Sequence, residues 1–242
     1  MVLLQQRPEL WTPSRLRRII RFLRTQTGLV GLFLFDDTSG TARDISGQGN
    51  HLTVTGATQG VGGYRKGTAY SFDGTNDRVG LTTIPTVLQP AAITIRGLVS
   101  TTLRDATLHS LTICGDDNTS GWFINCAVPD LTFAFVVANA YVVVTMVNFF
   151  AVADTLYLLH CTYDGVNMKI YRNGVEVATA AQTGTIDYTS GFTPQLMFGC
   201  RVAGAGPTYD RFWPGKQQRW AVYNTGWTAS QCAQDARLEG IR

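Results

Sequence analysis

The sequence predicts an all-β sandwich of two antiparallel sheets behind a short helical N-terminal segment, and three observations predict it. The 242-residue chain holds 25 Gly but only 15% charged residues, a balance that suits many short strands joined by tight turns. Its apolar runs are short and bounded by turn dipeptides such as Asp164-Gly165 and Asn173-Gly174. Asn-Gly is the strongest local hairpin signal, because both residues accept positive φ. A hydrophobic content of 45% over this length supports one sizeable core, and all-β chains of this size usually form a single domain. No apolar run approaches the roughly 20 residues of a membrane-spanning helix, so no membrane partner is expected.

The elements follow in chain order. Residues 1–27 form a separate basic unit, and residues 28–242 form the sandwich. Thr12 is placed to cap a helix and Pro13 suits its first turn, where a missing N–H costs nothing. At helical spacing Leu16, Ile19, Ile20 and Leu23 make one stripe, with Arg17, Arg18, Arg21 and Arg24 opposite. This segment carries six Arg against the single acid Glu9, whereas the remaining chain is slightly acidic. A basic arm on a near-neutral body points to docking on another protein rather than to a nucleic-acid-binding domain. The predicted docking set is Arg15, Leu16, Arg17, Arg18, Ile19, Ile20, Arg21, Leu23 and Arg24. The alternative is a helix that caps one end of the sandwich. So short a helix needs a packing partner in either case.

Leu29–Phe35 reads as the first strand. The Arg-rich stretch before it has the outline of a secretion signal, but no small-residue cleavage site follows and Asp36-Asp37 arrives at once; no signal peptide is expected. Leu131–Met146 reads as two strands turned at Ala138-Asn139-Ala140. Tyr157–Tyr163, Asn167–Arg172 and Val175–Thr179 read as a further strand trio. Thr228–Leu238 reads as a terminal helix opened by a Thr cap and closed before Gly240. The five cysteines (Cys114, Cys126, Cys161, Cys200, Cys232) are odd in number and widely spaced, and are expected as buried thiols rather than a disulfide framework.

Several motifs share an order with one family. An apolar strand runs into Asp36-Asp37-x-Ser-Gly-Thr and Asp44-Ile-Ser-Gly-Gln-Gly-Asn50, followed by Ser71-Phe-Asp-Gly-Thr-Asn-Asp77. Later come His160-Cys-Thr-Tyr-Asp-Gly165, Lys169-Ile-Tyr-Arg-Asn-Gly-Val175, and Phe212-Trp-Pro-Gly-Lys216 through Ala221-Val-Tyr-Asn224. Over residues 28–240 this resembles laminin-G-like, concanavalin A-like lectin (jelly-roll) domains. The resemblance implies a jelly-roll β-sandwich with paired central strands and a closing strand. It says little about activity, since the architecture serves lectins, glycanases, adhesins and virion proteins alike. Stand-alone members are common among bacteriophage structural proteins.

Catalysis is not expected. Glycan-cleaving relatives use two carboxylates in a Glu-x-Asp-x-x-Glu pattern, and hydrolysis needs such a pair across the scissile bond. This chain has three Glu in total, Glu9, Glu176 and Glu239, and no such motif. Adjacent Asp116 and Asp117 would point to opposite faces of a strand and are read as a turn. His51, His109 and His160 lack zinc-ligand spacing, and His160 is expected as a structural histidine. The resemblance also raises calcium through Asp44, Ser46 and Asn50, oxygen ligands of the kind Ca²⁺ takes. The closing-strand acid is replaced by Lys216-Gln-Gln-Arg-Trp220, so the expectation is no metal and no cofactor, with Asp44 and Asn50 capping their own turn. Candidate ligand-contact residues are Trp122, for which the resemblance implies a core-facing strand, and Tyr209, Arg211, Phe212 and Trp213 in the Gly204–Gly215 loop.

The expected role is a non-enzymatic virion surface protein, a capsid decoration, head-fibre or tail-associated protein. It would be assembled in the host cytoplasm, held to other virion proteins by the arm, and self-associating or glycan-binding at the host surface. The alternative is a free carbohydrate-binding module or adhesin, with a degenerate glycan hydrolase third.

Overall fold

A computed structural model describes residues 13–63, 67–102, 106–116, 119–189, 195–203 and 208–241. Helix α1 spans Pro13–Thr25 and α2 spans Ala229–Glu239. The first strands are β1 (Leu29–Phe33), β2 (Thr53–Thr55), β3 (Thr58–Gly62), β4 (Thr68–Asp73), β5 (Arg78–Leu81) and β6 (Ile93–Thr101). Then come β7 (Leu108–Asp116), β8 (Ser120–Ala127), β9 (Asp130–Val137), β10 (Ala140–Met146), β11 (Tyr157–Tyr163) and β12 (Asn167–Arg172). The last are β13 (Val175–Ala181), β14 (Gln195–Phe198), β15 (Arg201–Ala203), β16 (Thr208–Asp210) and β17 (Pro214–Tyr223).

Two antiparallel sheets face each other. The first runs β13-β12-β11-β6-β17-β4-β3, with β1 also on β17, and the second runs β10-β9-β8-β7-β14-β5-β2. Alternate residues of each strand point inward, so Ile95, Cys161, Ile170 and Trp220 from one sheet meet Trp122, Phe133, Phe135 and Leu196 from the other. The outer face of the first sheet is also apolar. Ile19, Phe22 and Leu23 of α1 and Cys232 of α2 pack there with Leu32, Ala221, Tyr223 and Trp227, and Ala236 covers Leu98 and Leu158. The β15–β16 hairpin packs Val202 and Tyr209 against Ile113, Phe123 and Met197 on the outer face of the second sheet.

The local chemistry explains the turns. At Ala138 and Asn139 φ is 48° and 62°, the two positive values that a two-residue hairpin needs. Asn173 and Gly174 do the same between β12 and β13, at 58° and 81°. Gly174 has a second reason, because a Cβ there would lie 2.5 Å from the Cβ of Ala236 on α2. Gly97 of β6 leaves room for Trp220, whose ring a Cβ would approach to 2.5 Å. Helix α2 opens with a reciprocal capping box between Thr228 and Gln231 and closes on left-handed Gly240. All five cysteines are buried and free; burial pushes the Cys200 thiol up to about 12, so these thiols behave as core hydrophobes.

The N-terminal segment departs from an unpartnered arm. Ile19 and Leu23 are fully buried within this chain. The Tyr223 hydroxyl donates to the Leu23 carbonyl at 3.0 Å, and Phe22 meets Trp227 edge-on with centroids 5.8 Å apart. Arg15 donates from Nε to the Leu238 carbonyl at 2.7 Å and from Nη2 to the Arg237 carbonyl at 3.2 Å, satisfying the open end of α2. The outer face of the first sheet is thus the partner that a short helix requires. Residues 1–12, including the Thr12 cap, and residues 117 and 204–207 lie outside the described residues.

Candidate functional site

Three features could carry function: a face of α1, a groove at the end of the first sheet, and the β15–β16 region. With its apolar stripe buried, α1 turns Arg17, Arg18, Arg21 and Arg24 to solvent. They fall at i, i+1, i+4 and i+7, one side of the cylinder. The helix contains no acid, and none of the four pairs with an acid among the described residues. Like charges at i,i+4 repel. The body therefore holds, in a fixed array, charges that would disfavour an isolated helix. Leu16 and Ile20 are half-buried.

The groove lies where β4, β17 and β6 run side by side. Ser71 and Ser100 flank Lys216 in register. Asp73, Thr102, Asp154 and Gly215 complete a cavity of about 350 Å³. Lys216 Nζ donates to the Gly62 carbonyl at 2.8 Å, and Asp73 Oδ1 accepts the Thr75 N–H at 2.7 Å. The groove offers hydroxyls, the two carboxylates of Asp73 and Asp154 and an ammonium, beside the apolar Phe72 and Pro214.

The predicted ligand-contact set divides. Trp122 and Trp213 are fully buried in the inter-sheet core, so neither offers a contact surface; the inward alternation of β8 puts Trp122 there, and Trp213, just before β17, is held by its N–H donating to the Gly199 carbonyl at 2.8 Å. Tyr209 is half-buried under Arg78, whose guanidinium sits 4.3 Å from the ring centroid, and its hydroxyl donates to Gln195 Oε1 at 3.1 Å. Arg201 and Asp210 form an ion pair that pins the hairpin. Phe212 packs on the same apolar cluster, and Arg211 has φ 50° at the bend before β17.

Asp44 organises its turn. Oδ1 accepts the Leu32 and Ser46 N–H groups at 3.0 and 2.8 Å, and Oδ2 accepts the Asn50 N–H and the Ser46 hydroxyl, both at 2.9 Å. Asn50 Nδ2 donates to the Val30 carbonyl at 3.0 Å. Among the described residues no cluster of three or more His, Cys, Asp or Glu could hold a metal ion. Asp44→Ala is expected to destabilise the protein by about 3 kcal/mol, since several buried donors would lose their acceptor. Urea unfolding with an unchanged m-value would measure it.

Sequence reasoning missed a buried ionic network. Arg96, His160, Asp235 and Glu239 are fully buried and Arg219 nearly so. Arg96 Nε and Nη2 donate to Asp235 Oδ2 and Oδ1 at 2.7 and 3.2 Å, and Arg96 also pairs with Glu239. Arg219 Nη2 donates to Glu239 Oε2 at 3.0 Å. His160 Nε2 lies 2.9 Å from Asp235 Oδ2. Burial opposes the Asp235 charge, but Arg96 outweighs it, with help from His160, and brings its pKa to about 2. Burial pushes the His160 pKa below 6.5, leaving a neutral ring that donates from Nε2. Two guanidinium and two carboxylate groups cancel, and together they join α2 to β6, β11 and β17. The signal lay in Asp235 and Glu239, one turn apart on a helix, and in Arg96 and Arg219 on otherwise apolar strands.

The profile of the concanavalin A-like lectin/glucanases superfamily, in its laminin-G-like branch, matches residues 73–233. The chain belongs to this superfamily. No curated protein matches the chain in sequence. Among solved structures, the binding domain of Paraclostridial Mosquitocidal Protein 1 superposes with a TM-score of 0.68 at 13% identity, covering 86% of this chain and 52% of that one. The botulinum neurotoxin serotype D binding domain gives 0.65 at 10% identity, covering 88% and 52%. The binding domain of botulinum neurotoxin DC in complex with SialylT gives 0.67 at 12% identity, covering 91% and 52%. The chain spans about half the length of these solved chains. At such identities the likeness shows the fold alone. No helix among the described residues is long and apolar enough to cross a membrane.

Proposed function

We propose that this chain is a non-enzymatic binding domain of a virion surface, as a capsid decoration, head-fibre or tail-associated protein. It is seated on an acidic particle surface by the arginine face of α1 and presents its lectin-like body outward. The observation that carries the reading is the fixed array of Arg17, Arg18, Arg21 and Arg24, uncompensated by acids among the described residues. Held by Ile19, Phe22 and Leu23, it is ordered before it meets a partner, which lowers the entropic cost of docking. The five buried thiols suit assembly in a reducing cytoplasm, and no paired carboxylates of the glycanase pattern occur in the sequence.

Reversing Arg17, Arg18 and Arg21 to Glu is expected to leave the melting temperature within a few degrees of wild type. Attachment to particles should weaken by roughly 10- to 100-fold at low salt and by less at high salt, where screening already blunts the wild-type attraction. Co-sedimentation with particles at two ionic strengths measures it, and attachment unchanged by the reversal would refute the reading.

A second reading, a free carbohydrate-binding module or adhesin, draws on the polar groove around Lys216 and on the neurotoxin binding domain solved in complex with SialylT. A glycan array probed with the whole protein separates the two. Strong glycan binding without particle association favours the second reading, and release of reducing sugar would point instead to a hydrolase.

A further inference from the structure

Trp227 stands between helix α1 and the buried ionic network. Phe22 of α1 meets its indole edge-on, and the His160 ring lies 5.8 Å away, tilted by 39°. The main chain here is held without help from α1. The Trp227 N–H donates to Thr94 Oγ1 at 2.8 Å, and Thr94 Oγ1 donates to the Thr225 carbonyl at 2.7 Å. The indole is held differently. Its Nε1 is buried with no hydrogen-bond partner among the described residues, and so is Nδ1 of His160. Packing alone fixes the indole, and part of that packing is Phe22.

Arg96 on β6 and Tyr171 on β12 flank His160 in register. From α2 come Asp235 on Nε2, Glu239 on Arg96, and Cys232; from β17 come Arg219 and Tyr223. The residues that α1 turns toward this region, Ile19, Phe22 and Leu23, do not titrate. Burial holds the protons on Tyr171, Tyr223 and Cys232 more tightly than usual, and histidine is the side chain of this set whose ordinary range falls between pH 5 and 8. With a neutral imidazole the two guanidinium and two carboxylate groups balance. A proton on Nδ1 upsets this in two ways. It creates a buried donor on a charged ring with no acceptor, and it leaves one positive charge beneath a helix that carries five arginines and no acid. Water reaching Nδ1 relieves both. Of the two rings against His160, Tyr171 is held by its hydroxyl on Glu176 Oε2 at 3.2 Å, so Trp227 is the one free to move aside.

We propose that α1 is an acid-released strap: His160 takes up a proton once the Trp227 indole has swung aside and Phe22 has left it, so acidification lifts α1 from the first sheet while α2 and both sheets stay folded. The strap is closed above the ordinary histidine range and weakens as pH falls below it, because the open state binds the extra proton that burial denies to the closed one. Ion pairs of Arg96 and Arg219 with Asp235 and Glu239 keep α2 in place. The lifted helix bares Leu32, Ala221, Tyr223 and Trp227 beside a freed basic segment. The device is independent of what the arginine face of α1 docks on.

Amide hydrogen exchange of the full chain between about pH 7.5 and pH 5, corrected for the intrinsic pH dependence of exchange, tests the inference. Protection of the α1 amides should fall by roughly 10- to 30-fold, at most about tenfold per pH unit for one linked proton. Amides of β6, β11 and β17 should change by less than about threefold. In His160→Gln, whose amide still donates to Asp235 but takes up no proton, α1 protection should not vary with pH over this range. Linkage is reciprocal, which supplies a second readout that does not need this variant. Phe22→Ala loosens the strap, so it should raise the His160 titration, followed by NMR of the ring, by about one pH unit for each tenfold loss of α1 protection. Four results overturn the inference: α1 protection that ignores pH, loss of α1 and strand protection together, an acid response that survives His160→Gln, or a His160 titration indifferent to Phe22→Ala.

Discussion

Asp235→Ala is expected to destabilise the protein by about 3–5 kcal/mol, because it leaves the fully buried guanidinium of Arg96 without its bidentate partner. Removing Arg96 as well, in Arg96→Met with Asp235→Ala, should recover part of the loss, since the cost lies in the unpaired charge more than in the pair. Denaturant unfolding of both variants measures this, and a loss under about 1 kcal/mol for Asp235→Ala would show that water reaches the network.

The same groups set the acid response. The folded pKa of His160 lies below 6.5, so as pH falls through that value the unfolded chain takes up a proton that the folded chain refuses. Stability begins to decline there. The folded pKa of Asp235, about 2, lies below the ordinary carboxylate range, so its contribution is complete above that range and is lost as pH falls toward 2. Both shifts act in one direction, and no compensating gain comes from these groups on acidification. Melting temperature is expected to drop from about pH 6.5 downward, and His160→Gln should remove the first part of that decline.

Deleting residues 1–27 is the second large effect. A docking arm would leave the body intact, but here α1 covers part of the first sheet. Burying Ile19, Phe22 and Leu23 favours the docked helix by roughly 5–9 kcal/mol before ordering costs and the helix's own hydrogen bonds are counted. A net loss of about 3 kcal/mol corresponds to a fall of roughly 6–12 °C in Tm for a domain of this size. The deletion also bares Leu32, Ala221, Tyr223 and Trp227, a contiguous apolar patch expected to cause association. Calorimetry and light scattering of the truncated chain test both points; an unchanged Tm and a monodisperse body would mean that the helix contributes nothing to the fold. For this reason charge reversal, which leaves the buried face of α1 in place, is the sharper probe of attachment.

The strand trio Tyr157–Tyr163, Asn167–Arg172 and Val175–Thr179, the last of which runs on to Ala181, the hairpin turn at Ala138-Asn139-Ala140, whose last residue already belongs to β10, and the capped helix after Thr228 were legible because each is specified locally. Two-residue alternation, paired positive-φ turn residues and a Thr/Gln capping box act over fewer than about ten residues. The turn role of Asp44 was legible on the same ground. The family motifs fixed the sandwich as a whole. The expected first strand, Leu29–Phe35, ends sooner, at Phe33, because the chain bends at Phe35, where φ is 55°.

The candidate surfaces were only half legible. Composition and spacing put four arginines opposite an apolar stripe, but they could not say whether that stripe faced another protein or this one. Only the tertiary structure decided that Ile19 and Leu23 lie on Tyr223 and Trp227, some 200 residues away in sequence. It also decided that Trp213 is core, as the family resemblance had implied for Trp122, that Arg96 and Asp235 are partners, and that β10 ends a sheet. The amino-acid sequence by itself determined the strands and turns named above and the cap of α2, which rest on contacts between near neighbours, and the family, which rests on spaced motifs. Which faces remain open, and which charges meet, depends on pairings across the whole chain that no local periodicity encodes.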